Sequence, residues 1–232
     1  MPATPNADGP VLVSDFDGTL TQHDLGELAL QRFGLPGWER YDELFESGQI
    51  TIAECIRKQS AMIRARSRTE ILRYLSRFAR FRPGLDRLLD DCRRARIDFV
   101  VASAGIDFCI RHVFRLHQLP MPTLYCPRTS FTPHGLRVVM PPFPPGRKRT
   151  GPATQGDRNF KHSIVASYQG RGRRVVYIGD GATDIAPASI ADKVFAIRGS
   201  PLDAALAERG IPRSPIRTLL PVSRFVQAEL PR

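Results

Sequence analysis

Four short, mostly apolar runs, Val11–Ser14, Ile97–Ala102, Val175–Ile178 and Val194–Ile197, limit this chain's folding options more than anything else in it. Each is rich in β-branched residues and too brief for a helix. A strand with one face in water alternates apolar and polar residues, whereas a run without alternation is covered on both faces, as in a parallel sheet flanked by helices. An α/β fold built on a Rossmann-like parallel sheet is therefore expected. Three of the runs end in a polar residue with glycine close behind: Ser14-Asp15 before Gly18, Ser103 before Gly105, and Gly179-Asp180-Gly181. Open parallel sheets bind ligands beyond the carboxyl ends of their strands, so chemistry is expected at these three ends.

Residues 15–96 separate the first run from the second. That is far beyond the roughly two to six residues of an ordinary βα connection. Apolar residues at spacings of three and four in Asp24–Phe33, Ile52–Arg64 and Thr69–Phe78 predict helices, broken at Gly34-Leu35-Pro36-Gly37 and Ser47-Gly48. The spacing thus predicts a small helical cap over residues 23–81, inserted after strand one. Residues 1–22 and 82–232 form the core, which resumes at Arg82-Pro83-Gly84. Residues 127–159, with seven prolines, are expected to form a long surface loop with a hairpin around His134-Gly135.

The 232 residues carry a net charge of +11, a balance that raises the question of a polyanionic partner. Of the 34 basic residues only Lys58, Lys148, Lys161 and Lys193 are lysines; the arginines are scattered, without interleaved aromatics or any nucleic-acid-binding module. A solvated basic surface is the expected outcome, and nucleic acid is not an expected partner. No window approaches the roughly 18 to 20 apolar residues of a membrane span, and the N-terminus lacks a charged and an apolar leader region. A soluble, cytoplasmic protein is expected. Cys55, Cys92, Cys109 and Cys126 lie far apart at no ligand spacing and read as reduced, mostly buried thiols. Oligomeric state is not legible in the chain.

The first strand delivers Asp15-Phe16-Asp17-Gly18-Thr19-Leu20, two carboxylates one residue apart. Both face one site only if the chain loops there, which Gly18 allows. Another acidic pair, Asp180 and Asp184, follows Val175–Ile178 in Gly179-Asp180-Gly181-Ala182-Thr183-Asp184. Carboxylates converging within about 4 Å repel by on the order of 4 kcal/mol per pair at an effective dielectric of 20. Convergence of Asp15, Asp180 and Asp184 therefore calls for a cation, and an oxygen-only ligand set selects a hard one such as Mg²⁺.

These segments, taken in order with Ser103 after a buried strand and Lys161 at an apparent helix start, resemble the motifs of haloacid dehalogenase superfamily phosphatases. The resemblance implies that Asp15 is the nucleophile forming an aspartyl-phosphate and Asp17 the general acid and base. It implies that Asp15, Asp17 (through its carbonyl), Asp180 and Asp184 hold Mg²⁺. Ser103, Gly105, Lys161 and Thr19 are implied in gripping the transferred phosphoryl group and ordering its loop. The presence of Asp17 argues for phosphoryl chemistry over carbon–halogen cleavage. The helical insertion looks like the C1 cap of the phosphoserine phosphatase group, in which Asp24 and Arg57 fall where substrate contacts are carried. Ser103-Ala104-Gly105-Ile106-Asp107-Phe108 and Leu124-Tyr125-Cys126 are more similar to methionine-salvage phosphatases acting on 2-hydroxy-3-keto-5-methylthiopentenyl-1-phosphate. A Mg²⁺-dependent phosphomonoesterase acting on a small metabolite, most like the methionine-salvage enzymes, is the implied function. A phosphoserine phosphatase and a catalytically inactive scaffold on the same fold are the alternatives.

Overall fold

The structure, a computed structural model, describes residues 9–140 and 159–229. The run of prolines and basic residues at 141–149, with Lys148, lies outside the described residues.

Six strands, β1 (Val11–Ser14), β2 (Asp98–Ala102), β3 (Thr123–Tyr125), β6 (Val175–Gly179), β7 (Lys193–Ile197) and β8 (Ser214–Ile216), form one sheet in the order β3-β2-β1-β6-β7-β8. Every neighbouring pair is parallel. The side chains of the central strands alternate between two dry layers. Leu12, Val101, Val176 and Ile178 face α5 (Leu85–Arg94), α6 (Asp107–Leu116) and α10 (Leu220–Glu229). Val11, Val13, Val100, Val175 and Tyr177 face α7 (Phe160–Gln169), α8 (Ile185–Ile190) and α9 (Pro201–Glu208). With both faces covered, these strands have no need of polar residues, which is why their sequences run apolar without a break.

Register sets the site. Ser14 stands opposite both Val101 and Ile178, so the chain leaves β1, β2 and β6 at nearly the same height. The strand order also turns at this place, because β2 lies on one side of β1 and β6 on the other. A crevice is expected at such a switch point.

Between β1 and α5 come four helices, α1 (Leu25–Phe33), α2 (Arg40–Glu46), α3 (Ile52–Met62) and α4 (Arg68–Leu75). Their starts are written locally. Asp24 caps α1 by accepting from the Glu27 N–H, Thr51 and Glu54 form a reciprocal capping box on α3, and Ser67 caps α4. The chain enters and leaves this segment through one antiparallel bridge, Thr21 to Phe81. Helix α2 is an addition to the three helices expected from periodicity, and α3 and α4 end two or three residues short of their expected limits. The expected hairpin exists as β4 (Arg128–Thr132) paired with β5 (Gly135–Val139). Its turn abuts the end of α3, where the Arg64 guanidinium donates to the carbonyls of Ala61 and His134. All four cysteines are buried and unpaired. Burial pushes the thiols of Cys55, Cys92 and Cys126 up to about 12, so they are held as protonated thiols.

Candidate active site

Asp15 follows β1 directly and is buried, with 7% of its surface exposed. Its Oδ1 accepts the Phe16 N–H at 2.7 Å and its Oδ2 faces the Lys161 ammonium at 2.8 Å. Two residues on, Asp17 turns back to the same side. This requires the loop that Gly18 makes with φ of +70°, and a side chain at Gly18 would drive its Cβ to 2.3 Å from Asp180 Oδ2. The Asp17 carboxylate accepts the Leu25 N–H of α1 at 3.0 Å. The Thr19 hydroxyl donates to Asp180 Oδ1 at 2.5 Å, tying the β1 loop to the β6 loop. From outside, the half-buried Arg82 guanidinium grips that loop, donating to the carbonyls of Gly18 at 2.6 Å and Thr19 at 2.9 Å.

Ser103 is fully buried at the end of β2, and its Oγ accepts the Gly105 N–H at 3.0 Å, which leaves the hydroxyl proton to donate. Gly105 is packed so closely that a Cβ there would lie 2.3 Å from Asp17 Oδ2. Lys161, 1% exposed, reaches in from the first turn of α7. Asn159 sets that turn, capping the N–H groups of Lys161 and His162 while its own amide donates to the Thr183 carbonyl at 2.7 Å. The ammonium is held by Asp15, by Asp184 at 2.8 Å and by Thr183 Oγ1 at 3.1 Å.

Asp184, wholly buried, accepts four hydrogen bonds. Tyr177 Oη and Lys161 reach its Oδ1, and the main-chain N–H groups of Asp180 and Gly181 reach its Oδ2. Burial works against its charge, but Lys161 and these donors hold the carboxyl below the usual range. Around it the opposite holds. Burial and then the charge of Asp184 push Asp180 up to about 7 and Asp15 well above the ordinary range. Burial and the neighbouring Asp24 push Asp17 up likewise.

Asp15, Asp180 and Asp184 each present a carboxylate oxygen within 4.8 Å of the others. A buried all-oxygen set whose own charges repel fits a hard divalent cation, as Mg²⁺ is. Asp184 spends its lone pairs on hydrogen bonds and so serves this cluster mainly by fixing Lys161 and the β6 loop.

Above the cluster a cavity of about 490 Å³ opens, roofed by the helical segment. Asp24 lines its rim and is also the cap of α1. Arg57 does not line it. This side chain lies exposed on the far face of α3, its Nε turned back to the Ala53 carbonyl at 3.2 Å, so the arginine contact read from the sequence is not at the site. Cys55, Ile56 and Gln59 supply part of the α3 wall instead, with Trp38, Asp42 and Phe45 beside them. The sequence reading missed these residues; the placing of Cys55, Ile56 and Gln59 on one face of α3 was the available signal for that wall.

Residues 12–189 match the family described as haloacid dehalogenase-like hydrolase. The chain is 30% identical over 217 residues, 94% of its length and 95% of the relative's, to a 2-hydroxy-3-keto-5-methylthiopentenyl-1-phosphate phosphatase of Brevibacillus brevis. It is 28% identical over 94% of its length, and 95% of the relative's, to the enzyme of the same name from Geobacillus kaustophilus. Among solved structures it resembles a substrate-bound phosphoserine phosphatase complex, with a TM-score of 0.68 and 16% identity over 94% of this chain and 98% of that one. It also resembles the phosphoserine phosphatase of T. onnurineus, with a TM-score of 0.66 and 18% identity over 98% and 99%.

Proposed function

We propose, from the premise that the chain belongs to the haloacid dehalogenase-like hydrolases and is a phosphatase among them, that it hydrolyses 2-hydroxy-3-keto-5-methylthiopentenyl-1-phosphate through an aspartyl-phosphate. The observation that carries this reading is the convergence of Asp15, Asp17, Ser103, Lys161 and Asp180 on one end of the sheet, beneath a cavity sized for a small metabolite. The names of the relatives support the substrate. The outward position of Arg57 removes the group that would have favoured phosphoserine.

In this reading the Asp15 carboxylate, held by Phe16 and Lys161, attacks phosphorus as the bond to the leaving oxygen breaks. Asp17, whose carboxyl burial pushes above the ordinary range, gives that oxygen its proton. A water molecule then attacks the acyl phosphate, Asp17 takes the water's proton, and inorganic phosphate leaves with Asp15 restored. Ser103 donates to a phosphoryl oxygen and Lys161 balances its charge. Asp15 and Asp180, with the Asp17 carbonyl and Asp184 behind them, hold Mg²⁺, which when bound neutralises charge on the phosphoryl oxygens. Residues 23–81 act as a cap that encloses the leaving group, and residues 1–22 with 82–232 act as the core.

The test is Mg²⁺-dependent phosphate release from p-nitrophenyl phosphate and from the pentenyl phosphate, compared with Asp15→Asn. Loss of at least about 1,000-fold in the variant supports nucleophilic catalysis, and equal rates in both proteins would refute it.

A further inference from the structure

The roof of the cavity, and not its floor, holds the feature left unexplained by phosphoryl transfer. Among the described residues the only cation lining the cavity is Lys161, and it is already engaged by Asp15, Asp184 and Thr183. The roof is apolar at Trp38, Phe45 and Ile56, and between these it carries the carboxylates of Glu27, Asp42 and Glu46. Asp42 is fixed in place: Gln59 Nε2 donates to its Oδ1 at 2.9 Å and the Cys55 thiol approaches the same oxygen at 3.7 Å. Arg40, Arg57 and Lys58, the cations nearest in sequence, are all exposed, with Arg57 folded back on its own helix and Lys58 over the Tyr41 ring. A leaving group entering here meets apolar surface and negative charge, and among the described residues no cation lines the roof to receive an anion.

We infer that Asp42, held by Gln59 and reinforced by Glu46, is a specificity determinant that rejects phosphate monoesters whose leaving group bears a carboxylate. The enzyme admits uncharged, hydroxyl-bearing or apolar leaving groups. A hydroxyl can donate to Asp42; a carboxylate placed beside it is repelled, and discrimination by repulsion needs no contact with the preferred substrate. The inference rests on the phosphatase reading and deepens it by naming the residues that would enforce a leaving group without a carboxylate.

A matched pair of probes tests it. Glycerol 1-phosphate and 3-phosphoglycerate differ by a hydroxymethyl in place of a carboxylate. The wild-type enzyme is expected to favour the former by about 100-fold in kcat/KM, mostly through KM. Asp42→Asn, which preserves an acceptor for Gln59, and Glu46→Gln at an exposed position should together shrink that preference to about tenfold. A preference below about threefold in the wild type, or one that neither variant changes, overturns the inference. Turnover of p-nitrophenyl phosphate, which carries no carboxylate, is followed in the same preparations: its absence marks failure of the phosphatase reading, and its presence with equal use of both probes marks failure of this one.

Discussion

Replacing Gly105 with alanine tests the proton donor without touching it. The Gly105 backbone lies outside the left-handed region, so alanine is tolerated by the main chain. The new Cβ, however, would stand 2.3 Å from Asp17 Oδ2 and 3.1 Å from Ser103 Oγ. Contacts of a Cβ below 3.0 Å are not sustained, so the Asp17 oxygen must retreat by about 0.7 Å while its other oxygen is still held by the Leu25 N–H. A displacement of that order is worth about 100-fold where a reacting group must be aligned, within the roughly 100- to 10,000-fold that a general acid contributes. The expected result for G105A is a fall of about 100-fold in kcat/KM for an alkyl phosphate, whose leaving alkoxide needs a proton. p-Nitrophenyl phosphate, whose phenolate leaves unaided, should lose less than about tenfold, and the melting temperature should move by no more than about 2 °C. Equal losses on both esters, or none on the alkyl ester, would refute the assignment of Asp17 as proton donor.

Metal and proton compete for the acidic cluster. Asp180 has a folded value raised to about 7, so in chelator-treated protein its contribution to stability is present at low pH and is lost as pH rises from about 4 through 7. Mg²⁺ should therefore raise the melting temperature more at pH 8 than at pH 5.5, and an equal rise at both would show that the cluster does not bind the ion. Arg82→Ala removes the fork on the carbonyls of Gly18 and Thr19; kcat should fall about tenfold with secondary structure intact, and Arg82→Lys should recover only part of it, because an ammonium cannot span both carbonyls. Far from the site, burial works against the charge of Asp91, but the hydrogen bonds from Ser223 and Gln227 hold its carboxyl below the ordinary value of 3.8. Its contribution is thus complete above that value and disappears as pH falls below it. Ser223→Ala should cost about 1–3 kcal/mol at pH 7, read by denaturant unfolding, and progressively less toward pH 2.

The residues of the cavity floor could be read from the chain because strand ends are punctuated. A short apolar run, then a carboxylate or serine, then glycine describes Asp15, Ser103 and Asp180 without reference to anything distant in sequence. Lys161 was legible for a related reason, since Asn159 is a helix cap and fixes where the first turn begins. The roof was harder. On α3 and its C-cap the positions lining the cavity are Ile52, Cys55, Ile56, Gln59, Ser60 and Ile63, one helical stripe, and Arg57 falls outside that stripe. Its placement at the site came from family likeness, which carries no information about helical phase. Asp24, read from family likeness as a substrate contact, lines the cavity rim, and its role as the cap of α1 came only with the structure. Helix α2 and the short strands β3 and β8 gave too little periodicity to find, being stabilised by neighbours that only the folded chain brings near.

The hydrogen bond from Leu25 to Asp17 joins two parts of the molecule that the chain order would let act separately. With Asp17 as the proposed proton donor, this bond would make the donor's aim a property of where α1 sits, and not only of the strand that carries it. A molecule too bulky for the chamber, by wedging α1 outward, spoils the alignment needed for its own cleavage. In the proposed mechanism size would then be screened twice, once at entry and again at turnover, and an oversized ester that gained admission would act as an inhibitor.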